Sequence, residues 1–217
     1  MIAGPDGWML TPEGAALHVE HRVAVVADVH LGYEWARGRG GDALPAHSLR
    51  ETLAKLDGLL GRAKVDRLIV AGDLVESPRR CPRTEADLAG LYRWLADRAV
   101  ELVPILGNHD PQGARRVPDR IEVHGWTIHH GHRDVRADRT ISGHHHPTLR
   151  SGSLNAPCFV VGDDAIVLPA FTPNAAGLPI GSAAMPPEWG RPGARCVATL
   201  GGEILDFGPL RSLIGRL

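Results

Sequence analysis

The chain has 217 residues, 43% of them hydrophobic and 23% charged, the balance expected of one soluble domain over residues 1–217 with a substantial core. Its longest apolar runs, near RVAVVADV and AIVLPAF, are strand-length and far short of the roughly 20 residues a membrane helix needs, so no bilayer crossing is expected. A net charge of −1 excludes the broad basic field of a passive DNA coat, but not an enzyme that holds phosphates through bound cations.

The N-terminal MIAGPDGWML has no basic segment followed by an apolar stretch and a small-residue cleavage site, so a cytoplasmic protein is expected. RVAVVADVH (22–30) is a continuous branched run ending in polar residues, as a buried strand would. SLRETLAKLDGLLGRA (48–63) carries a leucine stripe behind Ser48, with Glu51 three residues on, and predicts an amphipathic helix with a capping pair. DRLIVAGD (66–73) predicts a second strand. TEADLAGLYRWLADRA (84–99) predicts a second helix, capped by Thr84 and Asp87, and VELVPILGNHD (100–110) a third strand. Strands alternating with helices imply crossover connections and a largely parallel sheet. The second half changes to short β-rich pieces, RIEVHGWTIHHG, RTISGHHHP, CFVVGDDAIVLPAF and RCVATLGGEILDF, parted by turn residues, which predict hairpins in a second sheet. The reading is therefore two packed sheets with helices outside. The stretch Pro169 to Pro192, with six prolines, is expected to be a long surface excursion. Cys81, Cys158 and Cys196 lack any CxxC spacing and are expected to be reduced packing residues. Lys55 and Lys64 are the only lysines; arginine suits phosphate contacts, and the codon bias of a GC-rich genome gives the same composition.

The polar residues gather at strand ends. Asp28 and His30 follow the first strand, Asp73 the second, and Asn108, His109 and Asp110 the third, the edge at which open α/β sheets bind ligands. Asp28 and His30, two apart in an extended chain, are expected to project to the same side. Gly72 and Gly107 would let the backbone turn closely there. Six of the twelve histidines then fall within residues 129–146. Carboxylate, imidazole and amide oxygen together suit manganese, iron or zinc. Each piece alone has an ordinary explanation, since Gly-Asp after a strand is common turn chemistry. The order Asp-x-His, Gly-Asp, Gly-Asn-His-Asp, strand histidine, Gly-His-x-His does not.

That ordered set resembles the calcineurin-like metallophosphoesterase superfamily: DVH (28–30), GD (72–73), GNHD (107–110), HHGH (129–132) and GHHH (143–146) stand where the family keeps its metal motifs. The resemblance implies two divalent cations, manganese first, with iron, cobalt and zinc as alternatives. It implies Asp28, His30 and His146 as ligands of one metal, Asp73 as the bridge, and Asn108, His130 and His144 as ligands of the other. His129 and His132 stay open as alternatives to His130, and His145 is expected to be exposed and solvated. His109 resembles the catalytic histidine, with Asp110 orienting it or capping the turn. The implied fold is an α/β/β/α sandwich of two packed mixed β-sheets flanked by helices. PEGAALHVEHRVAVVADVHLG and PCFVVGDDAIVLPAFTPNAAG further resemble the ligase- or helicase-associated phosphoesterases of bacterial DNA-repair clusters, a likeness running through about Gly177. The chain departs from them at GDLVES, where relatives often carry a histidine near Glu76. This narrower resemblance implies a single-strand DNA endonuclease, with repair ligases or helicases as partners. Its implied chemistry is attack on phosphorus by a hydroxide held between two cations, with His109 protonating the departing alkoxide. The rival readings are hydrolysis of a small nucleotide or a phosphoprotein on the same core, and a non-catalytic scaffold, against which no ligand position is visibly lost.

Overall fold

A computed structural model of the chain describes residues 1–111 and 117–214. The first sheet follows chain order: β1 (Ile2–Ala3), β2 (Trp8–Leu10), β3 (Ala16–His18), β4 (Val23–Val26), β5 (Arg67–Ala71) and β6 (Glu101–Ile105). β4, β5 and β6 are parallel, joined through α1 (Tyr33–Gly38), α2 (Ser48–Leu60) and α3 (Pro82–Ala96). The expectation of a largely parallel sheet holds for these three strands only. β1 to β4 form an antiparallel meander whose pieces, two to four residues long, are too short to show a period in the sequence.

The second sheet holds β7 (Arg120–Val123), β8 (Trp126–His129), β9 (Thr140–Ser142), β10 (Pro147–Ser151), β11 (Leu154–Val161), β12 (Ala165–Val167), β13 (Leu178–Pro179), β14 (Arg195–Leu200) and β15 (Glu203–Pro209). It is mixed: β8, β9 and β12 run parallel, whereas β7–β8, β10–β11 and β14–β15 are antiparallel pairs. The chain then enters α4 (Leu210–Ile214).

Alternation along each strand sorts side chains into layers. Val23 and Val25 join Trp8, Ile69, Trp126, Ile128, Phe159 and Val197 between the sheets. Ala24 and Val26 face the other way, against Leu56 and Leu59 of α2 and Leu91 and Leu95 of α3. Cys158, Val160 and Cys196 cover the far side of the second sheet beneath Trp189 and Leu210, and all three cysteines are unpaired, Cys158 and Cys196 buried. The layering is thus α/β/β/α, with the outer helical layer on the second sheet reduced to α4 and the 3-10 turn Pro187–Gly190.

Three local expectations are corrected. Ser48 is the first helical residue and His47 the cap position, with no side-chain capping bond; the Ser48 hydroxyl accepts from the Gly32 amide and its own amide donates to Glu34. α3 begins two residues before Thr84, at Pro82, a residue suited to the first turn because it has no amide to satisfy; Asp87 instead accepts the Trp35 indole N–H at 2.7 Å. The segment Pro169 to Pro192 is anchored: Phe171 and Thr172 donate to the carbonyls of Ala27 and Asp28, β13 pairs with β10, and Phe171, Ile180 and Trp189 are buried. Lys55 fixes its start, donating to the Phe171 carbonyl at 2.6 Å with the ammonium over the Phe171 ring. Burial there pushes the Lys55 pKa down to about 8.

Candidate metal centre

The parallel strands stop before their polar residues begin. Beyond β4 and β5 the chain turns with Asp28, His30 and Asp73 in the left-handed region, at φ of 58°, 50° and 50°. After β9, His144 and His146 do the same, at 73° and 48°. Five of the nine non-glycine residues with positive φ among the described residues are therefore expected ligands. Each such conformation costs on the order of 1–3 kcal/mol and persists only where its surroundings impose it. Asp28 and His30 do meet, but through these turns and not through the alternation of an extended chain. Backbone bonds between the two turns hold them: the amides of Asp28 and His30 donate to the carbonyls of Gly72 (3.2 Å) and Asp73 (3.0 Å). Gly72 and Gly107 are needed for the close approach, since a Cβ on the first would overlap the His130 ring and one on the second the Asp73 carboxylate.

Two clusters face each other across Asp73. In the first, ligand atoms of Asp28, His30 and His146 lie within 4.8 Å of one another. Asp28 is wholly buried, and its Oδ2 accepts from the His144 amide at 2.9 Å. Its Oδ1 lies 3.0 Å from His146 Nε2 and 4.0 Å from His30 Nε2, yet none of these three atoms has an aligned hydrogen-bond partner among the described residues. A buried carboxylate oxygen left so costs several kcal/mol unless a cation answers it, so these residues fit a metal.

In the second cluster, Asp73, His130 and His144 also lie within 4.8 Å. His130 Nδ1 is 3.0 Å from the Ala71 carbonyl, which can only accept, so that nitrogen carries the proton. Its Nε2 faces two further acceptors, Asn108 Oδ1 at 3.0 Å and Asp73 Oδ2 at 3.2 Å, which a second ring proton answers and which a cation would answer in that proton's place. Three converging acceptors again fit a cation. Burial disfavours charge on His130, but the Asp73 and Asp28 carboxylates outweigh it and raise the pKa; the same field favours any cation placed there. Burial likewise opposes ionisation of Asp73, yet the His130 hydrogen bond and charge and the His109 amide hold its pKa at about 2. Asp73 is therefore anionic at any working pH, with one oxygen 4.0 Å from His30 Nε2 on the first cluster's side. His144 is pushed down to about 4 by burial and by the neighbouring His130 and His145, which keeps its imidazole neutral and free to ligate.

Strand alternation sorts the remaining histidines. His130 enters the site; His129 faces the other way, pushed down to about 4 by burial and by His130 and His132. The His132 ring stands at the rim, its centre 5.1 Å from that of His130. His145 is not solvated as expected: it is half-buried with its ring edge-on to Trp189 at 5.6 Å, because the 169–192 segment folds over it.

His109 stands beside the clusters. Its amide donates to Asp73 Oδ1 at 2.8 Å, and its Nδ1 is 2.8 Å from the Glu76 carbonyl, so that nitrogen carries a proton and Nε2 is left for other work. Asp110 accepts from the amides of Val75 (3.1 Å) and Gly107 (2.8 Å); these bonds fasten the GNHD turn to the end of β5. Glu76 was missed by sequence reasoning. Its Oε2 lies 2.9 Å from His30 Nδ1, an ion-pair approach without an aligned hydrogen bond, and with His30 and His109 it forms a third group of donors within 4.8 Å. The available signal was its place three residues beyond Asp73, from which a carboxylate reaches the outer nitrogen of a ligating histidine. His30, Tyr33, Glu76, His109, His146 and Thr172 line a cleft of about 440 Å³ at the clusters.

A family model described as calcineurin-like phosphoesterase matches residues 21–136, just over half of the chain. Over 104 residues the chain is 36% identical to the DNA double-strand break repair protein Mre11 of Methanopyrus kandleri, covering 47% of this chain and 22% of that protein. It thus spans about a fifth of that relative's length. Its fold is similar to the crystal structure of Pseudomonas putida nuclease MPE, with a TM-score of 0.72, 24% identity, and coverage of 94% of this chain and 98% of that one.

Proposed function

The chain belongs to the calcineurin-like phosphoesterase family, and from that premise we propose that it is a two-metal, manganese-dependent phosphodiesterase acting on DNA, a single-strand endonuclease of DNA repair. The fold is the metallophosphoesterase sandwich, and the chain is read as one domain because a single core is shared by both sheets. The observation that carries the reading is the pair of clusters flanking Asp73, the first with a buried Asp28 oxygen that no aligned proton of the described residues answers, the second with Asn108 and Asp73 oxygens converging on His130 Nε2. Asp28, His30 and His146 would hold one cation, Asn108, His130 and His144 the other, and Asp73 both. When bound, such a pair supplies Lewis acidity toward the phosphoryl oxygens and a nucleophilic water at neutral pH. His109 is the proton donor: with Nδ1–H committed to the Glu76 carbonyl, its transferable proton is carried on Nε2. Asp110 acts through the backbone, holding the turn that presents Asn108 and His109.

The DNA substrate rests on the names of the nuclease and the repair protein that the chain resembles, and the cleft of about 440 Å³ lies at the clusters where a phosphodiester would bind. Repair ligases or helicases are the partners this setting suggests. Among the described residues no helix is long and apolar enough to cross a membrane.

The deciding experiment is cleavage of circular single-stranded DNA, which offers no ends to an exonuclease, by chelated enzyme given back one metal at a time. Manganese should restore nicking, cobalt in part, and magnesium hardly, because magnesium binds imidazole poorly. A magnesium-only enzyme would contradict the ligand set. Activity confined to small nucleotides or phosphoproteins would withdraw DNA as substrate.

Glu76 carries a prediction of its own. A carboxylate on the outer nitrogen of a metal-ligating histidine fixes the ring and typically contributes 10- to 100-fold in affinity, so Glu76→Ala should weaken manganese binding by about that factor in an equilibrium titration. An unchanged affinity would make the carboxylate a bystander.

A further inference from the structure

Charge around the cleft is not symmetric. On one side the wall formed by Tyr33 and Glu76 runs outward into α1, the loop 77–81 and the first turn of α3, which are tied together. Arg39 donates to the Arg80 carbonyl at 2.6 Å, and the Arg83 guanidinium lies 4.8 Å over the Trp35 ring. This lobe carries five arginines and is indented by a depression of about 360 Å³ lined by Trp35, Arg39 and Arg83 together with Glu34 and Asp42, of which Glu34 accepts from the Ser48 amide and Asp42 pairs with Arg37. Arg37 is answered by Asp42 at 2.7 Å and Arg80 by Glu85 at 3.0 Å. Arg39, Arg79 and Arg83 are exposed and form no ion pair among the described residues. On the other side, past His132 and His145, a groove of about 530 Å³ is lined by Asp134, Asp138, Asp164 and Glu188 against Arg133 and Arg191, and Arg191 is itself 3.6 Å from Asp164.

We infer that a single strand is held on one side of the scissile bond only, its phosphates lying over Arg39, Arg79 and Arg83, while the acid-lined groove beyond His132 receives no phosphate backbone. The inference rests on the DNA reading above and adds the track to it. A polyanion gains from unpaired guanidinium groups, which bind phosphate as a fork, and is repelled by a groove in which carboxylates outnumber arginines. Each phosphate contact to a single strand also releases counterions and adds about 0.7 to the slope of log affinity against log salt.

The test compares wild type with Arg39→Ala/Arg79→Ala/Arg83→Ala, the same three positions changed to lysine, and Arg133→Ala/Arg191→Ala. The substrates are end-labelled oligo(dT) and bis-nitrophenyl phosphate, with manganese over a range of salt. The triple alanine variant should raise KM for oligo(dT) at least tenfold and flatten the salt slope by about 2, as three lost contacts require. Its activity on bis-nitrophenyl phosphate should stay within twofold of wild type. The lysine variant should keep most of the slope, and the Arg133/Arg191 variant should leave KM for oligo(dT) within twofold. Cleavage should also approach one end of the oligonucleotide more closely than the other. An unchanged KM in the triple alanine variant, or a flattened slope in the Arg133/Arg191 variant, would overturn the track while leaving the DNA reading intact. A wild type that hydrolyses bis-nitrophenyl phosphate but leaves oligo(dT) uncut would overturn both. Should the triple variant lose bis-nitrophenyl phosphate activity through misfolding, Arg79→Ala decides: its side chain has no partner among the described residues, and it alone should lower the slope by about 0.7.

Discussion

Asp73→Ala is expected to abolish phosphodiester hydrolysis, lowering it by about 10³-fold or more, and to strip both metal positions together. Asp73 Oδ2 stands between the Nε2 atoms of the two clusters, 3.2 Å from His130 Nε2 and 4.0 Å from His30 Nε2. Its pKa of about 2 means that a full negative charge faces both positions at neutral pH. Removing it leaves the first cluster two imidazoles and the Asp28 carboxylate and the second two imidazoles and a neutral amide oxygen, so several kcal/mol of charge stabilisation vanish, and about 1.4 kcal/mol is worth tenfold in rate. Asp28→Ala provides the contrast, because Asp28 serves the first cluster: it should empty one position and leave the other occupied. Elemental analysis should therefore find about two ions per chain in wild type, about one in Asp28→Ala and almost none in Asp73→Ala. Melting temperatures measured in chelator separate lost ligation from lost fold. An Asp73→Ala variant that keeps both its metal content and its rate would end the two-metal assignment.

The residues that converge in the two clusters were legible in the sequence as a candidate site because they are concentrated in short motifs at the ends of strands that announce themselves by composition. VAVV and LIVA have no polar alternation and must be buried on both faces, so the first polar residues after them necessarily emerge at one edge. How those residues reach a common point was not legible. The left-handed turns at Asp28, His30, Asp73, His144 and His146 are a minority conformation even for aspartate and histidine, which tolerate it better than most residues, so nothing local announces them. They are imposed by contacts distant in sequence, such as the His144 amide on Asp28. Glu76 escaped for the same reason: its partner His30 lies far back in the chain. The antiparallel strands β1 to β3 were too short to register a period. The proline-rich segment looked like a surface loop because proline content says nothing about anchoring, and its anchors are a few buried residues, Phe171, Ile180 and Trp189, spaced too widely to form a pattern. The capping motifs at Ser48 and Thr84 failed because those polar groups had tertiary uses, Ser48 on Gly32 and Asp87 on Trp35. A capping motif predicts a helix start only where nothing else competes for the side chain.

His109→Ala is expected to lose about 10²- to 10⁴-fold of DNA cleavage, the usual worth of general-acid help, while keeping its metals and much of its activity on bis-nitrophenyl phosphate. The difference comes from the leaving groups. A DNA alkoxide is a strong base and must be protonated as the P–O bond breaks, whereas nitrophenolate is stable at neutral pH and leaves unaided. The geometry supports a donor role: Nδ1 is held by the Glu76 carbonyl, and the ring stands edge-on to His30 at 5.0 Å, beside the clusters whose ligands surround Asp73. The His109 backbone, not its side chain, supplies the bond to Asp73, so alanine retains that contact. A purely structural histidine would behave otherwise, harming both substrates in proportion and lowering the melting temperature. Rates on the two substrates, with metal content and melting temperature alongside, therefore separate the roles. If both rates fell equally with metals and melting unchanged, His109 would be holding the phosphoryl group in both reactions, and the leaving group would have to draw its proton from elsewhere.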